Sequence, residues 1–528
     1  MRTVDSETMK VSEQVSQLLS DLGVHEVFGN PGTTELPFLE GIGQKYYLTL
    51  HDAIAVGAAD GAAQVSRSIA VANLHAAPGL GNAIGFIDSA RRNRSPVLVT
   101  VGQQDLRHVD QHPLLYGDFD TMTRGLVKYS REVRRPEEVK ESFAAAIRQA
   151  ITPPMGPVLL SLPMDVMELD ARAVGNGFGP SPTLPENVLS ISNRIRTATN
   201  PALLVGYEVD VYDAFAEFGE LAERLGAPVY AEPICSRSPI PEGLPNFVGD
   251  LLPQSASIAS VLGVHDLVVL VGSDLTLYPY SATPVLSGDR LLYLGSDPSV
   301  PDKLRCERAL GNLKELLKLL LSDLPATGRR FRRPPDFGRA NRVARAAPKM
   351  GGEFVVDAIR RAFPRYTVVD ESVSLIPTMK SAGFYRGKNS YFSSRSQQLG
   401  WGLAAAIGIT LREPKTVVVV GDGALHYSIP ALWTLARYRI PTKVVVVNNG
   451  GYNILKSYSK ANHPRLASAE YLELPGIRIV EIAEGYGLKA STVDSPDRLD
   501  RSLAELRDGD GPGLLNVEMD RTVPDLFS

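Results

Sequence analysis

Short, mostly apolar runs alternate with longer amphipathic stretches along most of this chain. The apolar runs are AVANLHAA, SPVLVTVG and GPVLLSLP, then PALLVG, APVYAE, DLVVLVG and RLLYLG, and finally YTVVDES, KTVVVVGDG, TKVVVVNN and GLLNVEM. Stretches with helical periodicity, such as PEEVKESFAAAIRQAI, lie between them. Strands that are apolar on both faces are typical of parallel sheets covered by helices. The pattern therefore predicts an α/β protein.

Two stretches without periodicity, residues 170–187 and 325–352, are rich in glycine and proline and are expected to be linkers. The second also carries a run of arginines, but the net charge of −4 favours a solvated linker over a nucleic-acid surface. The linkers leave three segments of ordinary domain size. We predict three doubly wound parallel-sheet domains, over residues 1–172, 188–325 and 350–528.

Composition places the chain among soluble globular proteins, because 44% of its 528 residues are hydrophobic and 22% are charged. Its two cysteines, Cys235 and Cys306, have no neighbour at metal-binding spacing, which is typical of a reducing compartment. The stretch MRTVDSETMKVSEQ is polar, and no apolar run approaches about 18 residues. We therefore predict a cytoplasmic protein with neither a membrane nor a nucleic acid as partner.

Two predicted strands end in small and oxygen-bearing residues. One closes in Gly421-Asp422-Gly423, and the next, after 24 residues, closes in Asn448-Asn449. Parallel α/β sheets bind ligands at such carboxyl ends, and carboxylate and amide oxygens suit Mg²⁺ or Ca²⁺. The glycines allow close approach of an anion, and the helix SIPALWTLARY would direct its N-terminus towards a phosphate. Each motif alone is also common as a turn, but their pairing favours a metal–phosphate site.

This spacing resembles the signature of thiamine diphosphate enzymes, and most of the chain is similar to the benzoylformate decarboxylases within that family. The segments that carry the resemblance, in the same order, are VFGNPGTTELPF (27–38), NLHAAPGLGNA (73–83), SPVLVTVGQQ (95–104), GPVLLSLPMD (156–165), DESVS (370–374) and YSIPALWTLARYRIPT (427–442). The resemblance implies a pyrimidine-binding, a central and a diphosphate-binding domain. It also implies a cofactor held between subunits, hence a dimer or tetramer.

The resemblance also assigns the cofactor site. The implied metal ligands are Asp422, Asn449 and the backbone carbonyl of Gly451, around Mg²⁺ or Ca²⁺. The other residues implied to contact thiamine diphosphate are Leu399, Gln397, Val373, Ser374, Gly421, Gly423, Ala424 and Leu425. Leu399 matches the apolar residue that props the bent cofactor in this family.

Three residues of the first domain match catalytic positions. Asp52 stands where the family has a glutamate that hydrogen-bonds the cofactor pyrimidine, and it is about 1.5 Å shorter. It could reach the ring after a small backbone adjustment or through a water, the enzyme could work without strong activation, or the site could bind cofactor and do little else. His75 matches a histidine that relays protons, and Thr33 matches a serine that contacts the substrate carboxylate.

The implied acyl pocket is apolar and aromatic, and its residues are Tyr278, Tyr280, Ile454, Leu455 and Tyr458. Such a lining favours an apolar or aryl acyl group. A second active-site histidine of the benzoylformate decarboxylases has no counterpart near the two tyrosines, and His265 upstream is expected to be structural. The GLGNAIG segment (79–85) lacks the dinucleotide spacing, so neither bound NAD nor a required FAD is predicted.

The function implied by the resemblance is a thiamine diphosphate- and Mg²⁺-dependent decarboxylation of a 2-oxo acid, giving an aldehyde and CO₂. One alternative is a carboligase of the acyloin or acetolactate synthase type, which takes an acceptor aldehyde as second substrate. The departures at Asp52 and around Tyr278 leave a third possibility, a catalytically weak cofactor-binding regulatory subunit.

Overall fold

Each of the three sequence segments contains one parallel sheet covered by helices. The computed structural model describes residues 8–172, 188–277, 284–333 and 350–527. In these ranges each sheet has six parallel strands, and one further two-stranded antiparallel ribbon is present. The predicted fold class is confirmed, whereas the boundaries 1–172, 188–325 and 350–528 stay predictions.

The first domain combines one sheet with helices on both of its faces. Its strands are β1 (Thr8–Lys10), β2 (Glu26–Asn30), β3 (Lys45–Leu48), β4 (Ala70–Leu74), β5 (Val97–Gln103), β6 (Ser130–Glu132), β7 (Val158–Pro163) and β8 (Asp170–Arg172). Its helices are α1 (Val11–Asp21), α2 (Leu36–Gly41), α3 (Asp52–Ser66), α4 (Ala76–Arg92), α5 (Phe119–Thr123), α6 (Val139–Ile151) and α7 (Met164–Met167). The sheet order is β3-β2-β4-β5-β7-β6, and β1 pairs with β8 outside it.

The central domain has the strand order of dinucleotide-binding folds. Its strands are β9 (Pro201–Val205), β10 (Val229–Ala231), β11 (Phe247–Asp250), β12 (Leu267–Val271), β13 (Leu291–Gly295) and β14 (Glu307–Leu310). Its helices are α8 (Val188–Thr197), α9 (Glu208–Val211), α10 (Phe215–Leu225), α11 (Ser255–Leu262), α12 (Ser299–Leu304) and α13 (Leu313–Asp323). Because the order is β11-β10-β9-β12-β13-β14, the switch point of the sheet lies between β9 and β12.

The third domain repeats the strand order of the first. Its strands are β15 (Thr367–Glu371), β16 (Tyr391–Phe392), β17 (Thr416–Gly421), β18 (Lys443–Asn448), β19 (Lys489–Val493) and β20 (Gly513–Glu518). Its helices are α14 (Gly352–Ala362), α15 (Ile376–Ser381), α16 (Trp401–Thr410), α17 (Asp422–Leu425), α18 (Ala431–Arg437), α19 (Asn453–Asn462), α20 (Ile479–Gly485) and α21 (Pro496–Asp508). The order is β16-β15-β17-β18-β20-β19. No helix in the described ranges is both long enough and apolar enough to cross a membrane.

The first and third domains share one apolar core, in which α3 crosses α16 at very short range. A Cβ atom added to Gly61 would meet the backbone carbonyl of Ala405, and one added to Gly408 would meet that of Ala58. Near the same crossing the indole Nε1 of Trp401 donates to the fully buried Asp60 at 2.7 Å. The two helices can approach this closely because small residues face each other.

We expect the substitution Gly61→Ala to lower the free energy of unfolding by about 1–3 kcal/mol, because the added methyl group forces α3 and α16 apart. The matched control is Gly219→Ala in α10, where a Cβ would make only an ordinary contact, 3.6 Å from Pro241. Removing a helix-interior glycine there should raise stability by up to about 1 kcal/mol. Denaturant unfolding of both variants measures the difference, and equal effects would contradict the tight crossing.

Candidate active site

The carboxyl ends of β17 and β18 bring the predicted metal ligands together. The strands are neighbours, so Asp422, which begins α17, lies beside the turn that follows β18. The backbone N–H of Gly450 donates to Asp422 Oδ2 and to Asn448 Oδ1, at 3.0 Å each. The N–H of Gly451 donates to Asn449 Oδ1 at 3.2 Å. The sequence interpretation of two strand ends meeting at one place therefore agrees with the geometry.

The two asparagines of this turn have different partners. Asn448 donates its side-chain amide to Asn516 Oδ1 on β20 at 3.1 Å, which fixes the turn to the sheet. Asn449 is only half-buried and follows the end of the strand. Opposite, Gly423 has no room for a side chain, because a Cβ there would lie 2.7 Å from the ring of Tyr452. The glycine is required for this close approach.

The donor set at these strand ends fits a divalent cation that also carries a diphosphate. Asp422 is buried, and burial raises the pKa of its carboxyl despite the amides of Gly423 and Gly450. A cation would stabilise the charged form of such a carboxylate. In the described part of the chain no three His, Cys, Asp or Glu side chains cluster to hold a metal. The remaining ligands would therefore be Asn449, the Gly451 carbonyl and phosphate oxygens, as Mg²⁺ commonly accepts.

The loop 394–400, which carries Gln397 and Leu399, is held at its C-terminal end by Glu371. The Glu371 carboxylate, at the end of β15, accepts the backbone N–H of Gly400 and, at 2.8 Å, that of Gly402 at the start of α16. Burial raises the pKa of this carboxyl to about 8, against the effect of the two amides. Leu399 packs at the edge of the shared core, whereas Gln397 is exposed.

Several non-glycine residues around this region adopt the left-handed backbone conformation, and three of them adjoin or belong to the predicted site. Val373 has φ of 51°, Gln397 has φ of 58° and Ala76, directly after His75, has φ of 44°. A β-branched residue at positive φ is a clear outlier, and such residues collect at functional sites. Two of the three are predicted cofactor contacts, and the third follows the predicted proton relay.

The remaining residues predicted to contact the cofactor differ in which of their atoms a ligand could reach. Ser374 and Ala424 are buried with small side chains, at 7% and 4% exposure. The side chain of Leu425 lies fully inside the shared core, so this residue can offer a ligand only its backbone. Nothing crowds Gly421, for which the nearest atom to an added Cβ would be the Glu371 carbonyl at 3.9 Å.

His75 is held by a buried carboxylate that sequence reasoning missed. Its Nδ1 lies 2.8 Å from Glu35 Oε2, and Glu35 is fully buried. The same carboxylate accepts the backbone N–H of Gly32 at 2.7 Å and the hydroxyl of Thr34 at 2.7 Å. Because Glu35 acts as an acceptor in these contacts, we assign the Nδ1 proton to His75, which leaves Nε2 for a ligand. The imidazole also packs on the backbone of Gly32, where no side chain would fit.

Asp52 lies next to this pair and is itself buried. Its Oδ1 accepts the backbone N–H of His75 at 3.1 Å, and its Oδ2 accepts the side-chain amide of Asn30 at 3.2 Å. The carboxylate also lies against the backbone of Gly79. A carboxylate accepts about four hydrogen bonds, so capacity remains for a further donor. The structure thus brings Asp52 and His75 together, as the sequence interpretation requires.

Thr33 and two unpredicted leucines line the neighbourhood of His75. Thr33 is exposed at the start of the helical turn Thr33–Glu35, immediately after Gly32. The carbonyl of Leu115 accepts the N–H of Ala77 at 3.3 Å, which places its loop beside the start of α4. Leu114 is 89% exposed and Leu115 is 41% exposed. The loop beside the start of α4 therefore exposes two apolar side chains to solvent.

The predicted pocket residues of the third domain lie on α19, just after the turn that carries Asn449. Ile454 and Tyr458 are partly buried, and Leu455 is 48% exposed. The ring of Phe527, near the end of the chain, meets the ring of Tyr458 edge to face at 5.3 Å. The chain end therefore covers one side of this helix.

The tyrosines predicted for the central part of the pocket, Tyr278 and Tyr280, lie outside the described residues. His265, expected to be structural, is buried before the amino end of β12, at the edge opposite the carboxyl ends of the strands. Its Nδ1 lies 3.2 Å from the carbonyl oxygen of Asn200.

Comparison with known proteins identifies the class. The N-terminal TPP-binding domain of the thiamine pyrophosphate enzymes matches residues 9–122, the central domain matches 189–320, and the C-terminal TPP-binding domain matches 377–517. These matches cover well over half of the chain. The protein therefore belongs to the thiamine pyrophosphate (thiamine diphosphate) enzyme family, which confirms the resemblance.

Within this family the chain is 33% identical over 519 residues to benzoylformate decarboxylase of Pseudomonas aeruginosa, with 95% of this chain and 97% of that one covered. It is 25% identical over 562 residues to acetolactate synthase of Arthrospira platensis, covering 94% and 92%. Its fold matches the solved thiamine diphosphate-dependent 4-hydroxybenzoylformate decarboxylase of Rhodococcus jostii RHA1 with a TM-score of 0.90 and 30% identity, covering 98% and 100%. Both decarboxylases and carbon–carbon ligases are thus among its relatives.

Glu371 should make stability depend on pH. Its pKa is about 8 in the fold and the ordinary 4.5 in the unfolded chain, so between these values the folded protein retains a proton that the unfolded chain has lost. The stabilisation from this group is complete below the unfolded value and is lost as the pH rises through the folded value. We expect the melting temperature of the wild type to fall relative to Glu371→Gln by at least about 2 °C between pH 5.5 and 8.5.

Differential scanning fluorimetry across that range measures the effect. Glu353→Gln, at an exposed position in the first turn of α14, is the matched control and should follow the wild-type pH profile. Parallel profiles for the wild type and Glu371→Gln would contradict the assignment.

Proposed function

We propose that this protein uses thiamine diphosphate and Mg²⁺ to decarboxylate a 2-oxo acid with an apolar or aryl acyl group, releasing an aldehyde and CO₂. The observation that carries the proposal is the fixed pair of Glu35 and His75, 2.8 Å apart, beside the buried Asp52. A subunit that only bound the cofactor would not need an oriented imidazole at this place. The match to benzoylformate decarboxylase over nearly the whole chain supports the same reaction.

In this proposal bound thiamine diphosphate supplies the electron sink for the electron pair left behind by CO₂. Asp422, Asn449 and the carbonyl of Gly451 hold the cation and the diphosphate at the strand ends. Leu399 supports the cofactor from the loop that Glu371 fixes.

The residues of the first domain handle the proton and the substrate carboxylate. His75 can take up and release a proton at Nε2, because its Nδ1–H is engaged in the hydrogen bond to Glu35. Asp52 would hydrogen-bond the pyrimidine of the bound cofactor, while the backbone N–H of His75 and the side-chain amide of Asn30 keep its carboxylate in place. Thr33, exposed beside Gly32, contacts the substrate carboxylate.

The acyl preference follows from apolar side chains on both domains. Leu114 and Leu115 stand exposed near His75, and Ile454, Leu455 and Tyr458 follow the metal-binding turn. Self-association as a dimer or tetramer, which the family resemblance implies, is part of the proposal. It would cover apolar side chains that the single chain leaves open.

Carboligation is the second candidate, in which an acceptor aldehyde takes the place of the proton. The match to acetolactate synthase over 94% of the chain favours it. So does the sequence of the 278–280 segment, where Tyr-Pro-Tyr offers no imidazole to a bound substrate. A tyrosine titrates near pH 10 and is a poor proton donor at neutral pH.

The test is CO₂ release from a panel of 2-oxo acids, from pyruvate to branched and aryl acids. Each acid is assayed with and without thiamine diphosphate, Mg²⁺ and an acceptor aldehyde. We expect cofactor- and metal-dependent release from aryl or bulky apolar acids without acceptor, and none from Asp422→Ala. Release only with acceptor would establish the carboligase. No release from any acid, despite cofactor binding, would overturn the enzymatic proposal.

Substitutions of Asp52 test whether the protein is an active enzyme or a subunit that only binds the cofactor. Asp52→Asn keeps the size of the side chain but removes the carboxylate, so we expect kcat to fall about 100-fold or more with little change in melting temperature. Asp52→Glu, which restores the residue of the relatives, is the control and should retain activity. Steady-state kinetics with the best acid of the panel give both values. Unchanged turnover in Asp52→Asn would remove Asp52 from the mechanism.

A further inference from the structure

The crevice at the switch point of the central sheet is filled by an arginine from the third domain. Arg395 belongs to the loop 394–400 that also carries Gln397 and Leu399. Its Nη1 lies 2.8 Å from Glu232 Oε1, and its Nη2 lies 2.6 Å from Asp274 Oδ2. The carboxylates follow β10 and β12, at the carboxyl ends of the strands, where sheets of this order bind nucleotides.

The contacts of Arg395 are both buried and specific. Its side chain is 7% exposed, and that of Glu232 is not exposed at all. The guanidinium lies 3.9 Å from the centre of the Tyr207 ring, which follows β9, so three strand ends converge on one cation. Although burial opposes the charge, Asp274 and Glu232 raise the pKa of Arg395 well above its ordinary value. The arginine is therefore held as a permanent cation.

The partners of Arg395 are fixed in turn by their own domain. Glu232 Oε2 accepts the hydroxyl of Ser273 and the backbone N–H of Asp274, at 3.0 Å each. On the side of the first domain, the backbone N–H of Arg395 donates to Asn93 Oδ1 at 3.1 Å. All three domains therefore meet at this residue of the loop. The segment after Asp274 leads to Tyr278 and Tyr280, predicted to line the acyl pocket.

We propose that Arg395 is a positioning residue, through which the central domain fixes the loop that supports the cofactor. The inference rests on the proposed function in assigning the loop to the cofactor. The loop is then held by Glu371 at its C-terminal end, and by Asn93 and the central carboxylates near its N-terminal end. In this arrangement Glu232, Asp274 and Tyr207 at the central crevice bind the side chain of Arg395.

The test compares Arg395→Lys with Arg412→Lys. A lysine keeps the charge at position 395 but cannot bridge Glu232 and Asp274 with a planar fork. Arg412 pairs with Glu26 and also joins the first and third domains, yet it lies two residues after the C-terminal end of α16, away from the loop. Each variant thus weakens an ion pair between two domains, and only Arg395→Lys weakens the anchor of the loop.

Two measurements are made on the full-length protein. Hydrogen–deuterium exchange without cofactor follows the peptides over residues 394–402 and 272–277. Titration with thiamine diphosphate in the presence of Mg²⁺ gives the dissociation constant. We expect Arg395→Lys to exchange at least about 10-fold faster in the loop and to bind the cofactor about 10-fold more weakly, while Arg412→Lys matches the wild type in both.

Equal exchange in the two variants, or unchanged cofactor affinity in Arg395→Lys, would overturn the proposal. If the wild type itself binds no thiamine diphosphate, the proposed function fails. The exchange data then decide separately whether Arg395 fixes the loop. As a second variant, the double substitution Arg395→Met with Glu232→Gln removes the fully buried carboxylate together with its arginine and keeps the volume, and it leaves only Asp274, which is 21% exposed, without that partner. A folding defect in the single variant therefore cannot hide the result. The double variant should reproduce the faster exchange.

Discussion

The close crossing of α3 and α16 is the constraint on which the rest of the site depends. Asp52 is the first residue of α3, and Leu399 and Gly400 directly precede α16. Because Gly61 and Gly408 let the two helix backbones touch, the crossing leaves little freedom to slide one helix along the other. The predicted pyrimidine-binding residue and the loop proposed to support the cofactor therefore stand on elements whose relative position is fixed by packing.

Buried carboxylates recur around this frame, and backbone amides satisfy them more often than cations do. Glu35 accepts the N–H of Gly32, Asp52 accepts that of His75, Glu371 accepts that of Gly402, and Asp422 accepts that of Gly450. An unpaired buried carboxylate would be strongly destabilising, whereas amide donors offset much of that penalty. The amides also fix the direction in which each of these carboxyl groups points.

Sequence reasoning predicted the fold class and the residues at the strand ends. It missed the hydrogen bonds and ion pairs between residues that lie far apart in the sequence. Apolar runs separated by amphipathic stretches are typical of parallel sheets. Because the carboxyl ends of neighbouring parallel strands lie at the same edge of a sheet, the sequence alone could place Asp422 and Asn449 together. Glu35 and His75 are 40 residues apart, and Arg395 and Glu232 are 163 apart. No periodicity links such positions. The only feature of the sequence that pointed to Glu35, the carboxylate next to His75, was weak: it lies three residues after Gly32.

The three sheets use the same edge for three different purposes, and this division explains why the central domain matters to the proposed site beyond the predicted pocket residues Tyr278 and Tyr280. In the proposed function the first sheet directs Asp52 and His75 to the proton, and the third directs Asp422 and Asn449 to the cation. The central sheet has the strand order of nucleotide-binding folds, but its crevice closes around the guanidinium of Arg395. A loop that carries residues at positive φ, such as Gln397, keeps that conformation only if its surroundings determine it. In our proposal the central domain holds the loop in this conformation through the carboxylates that bind Arg395.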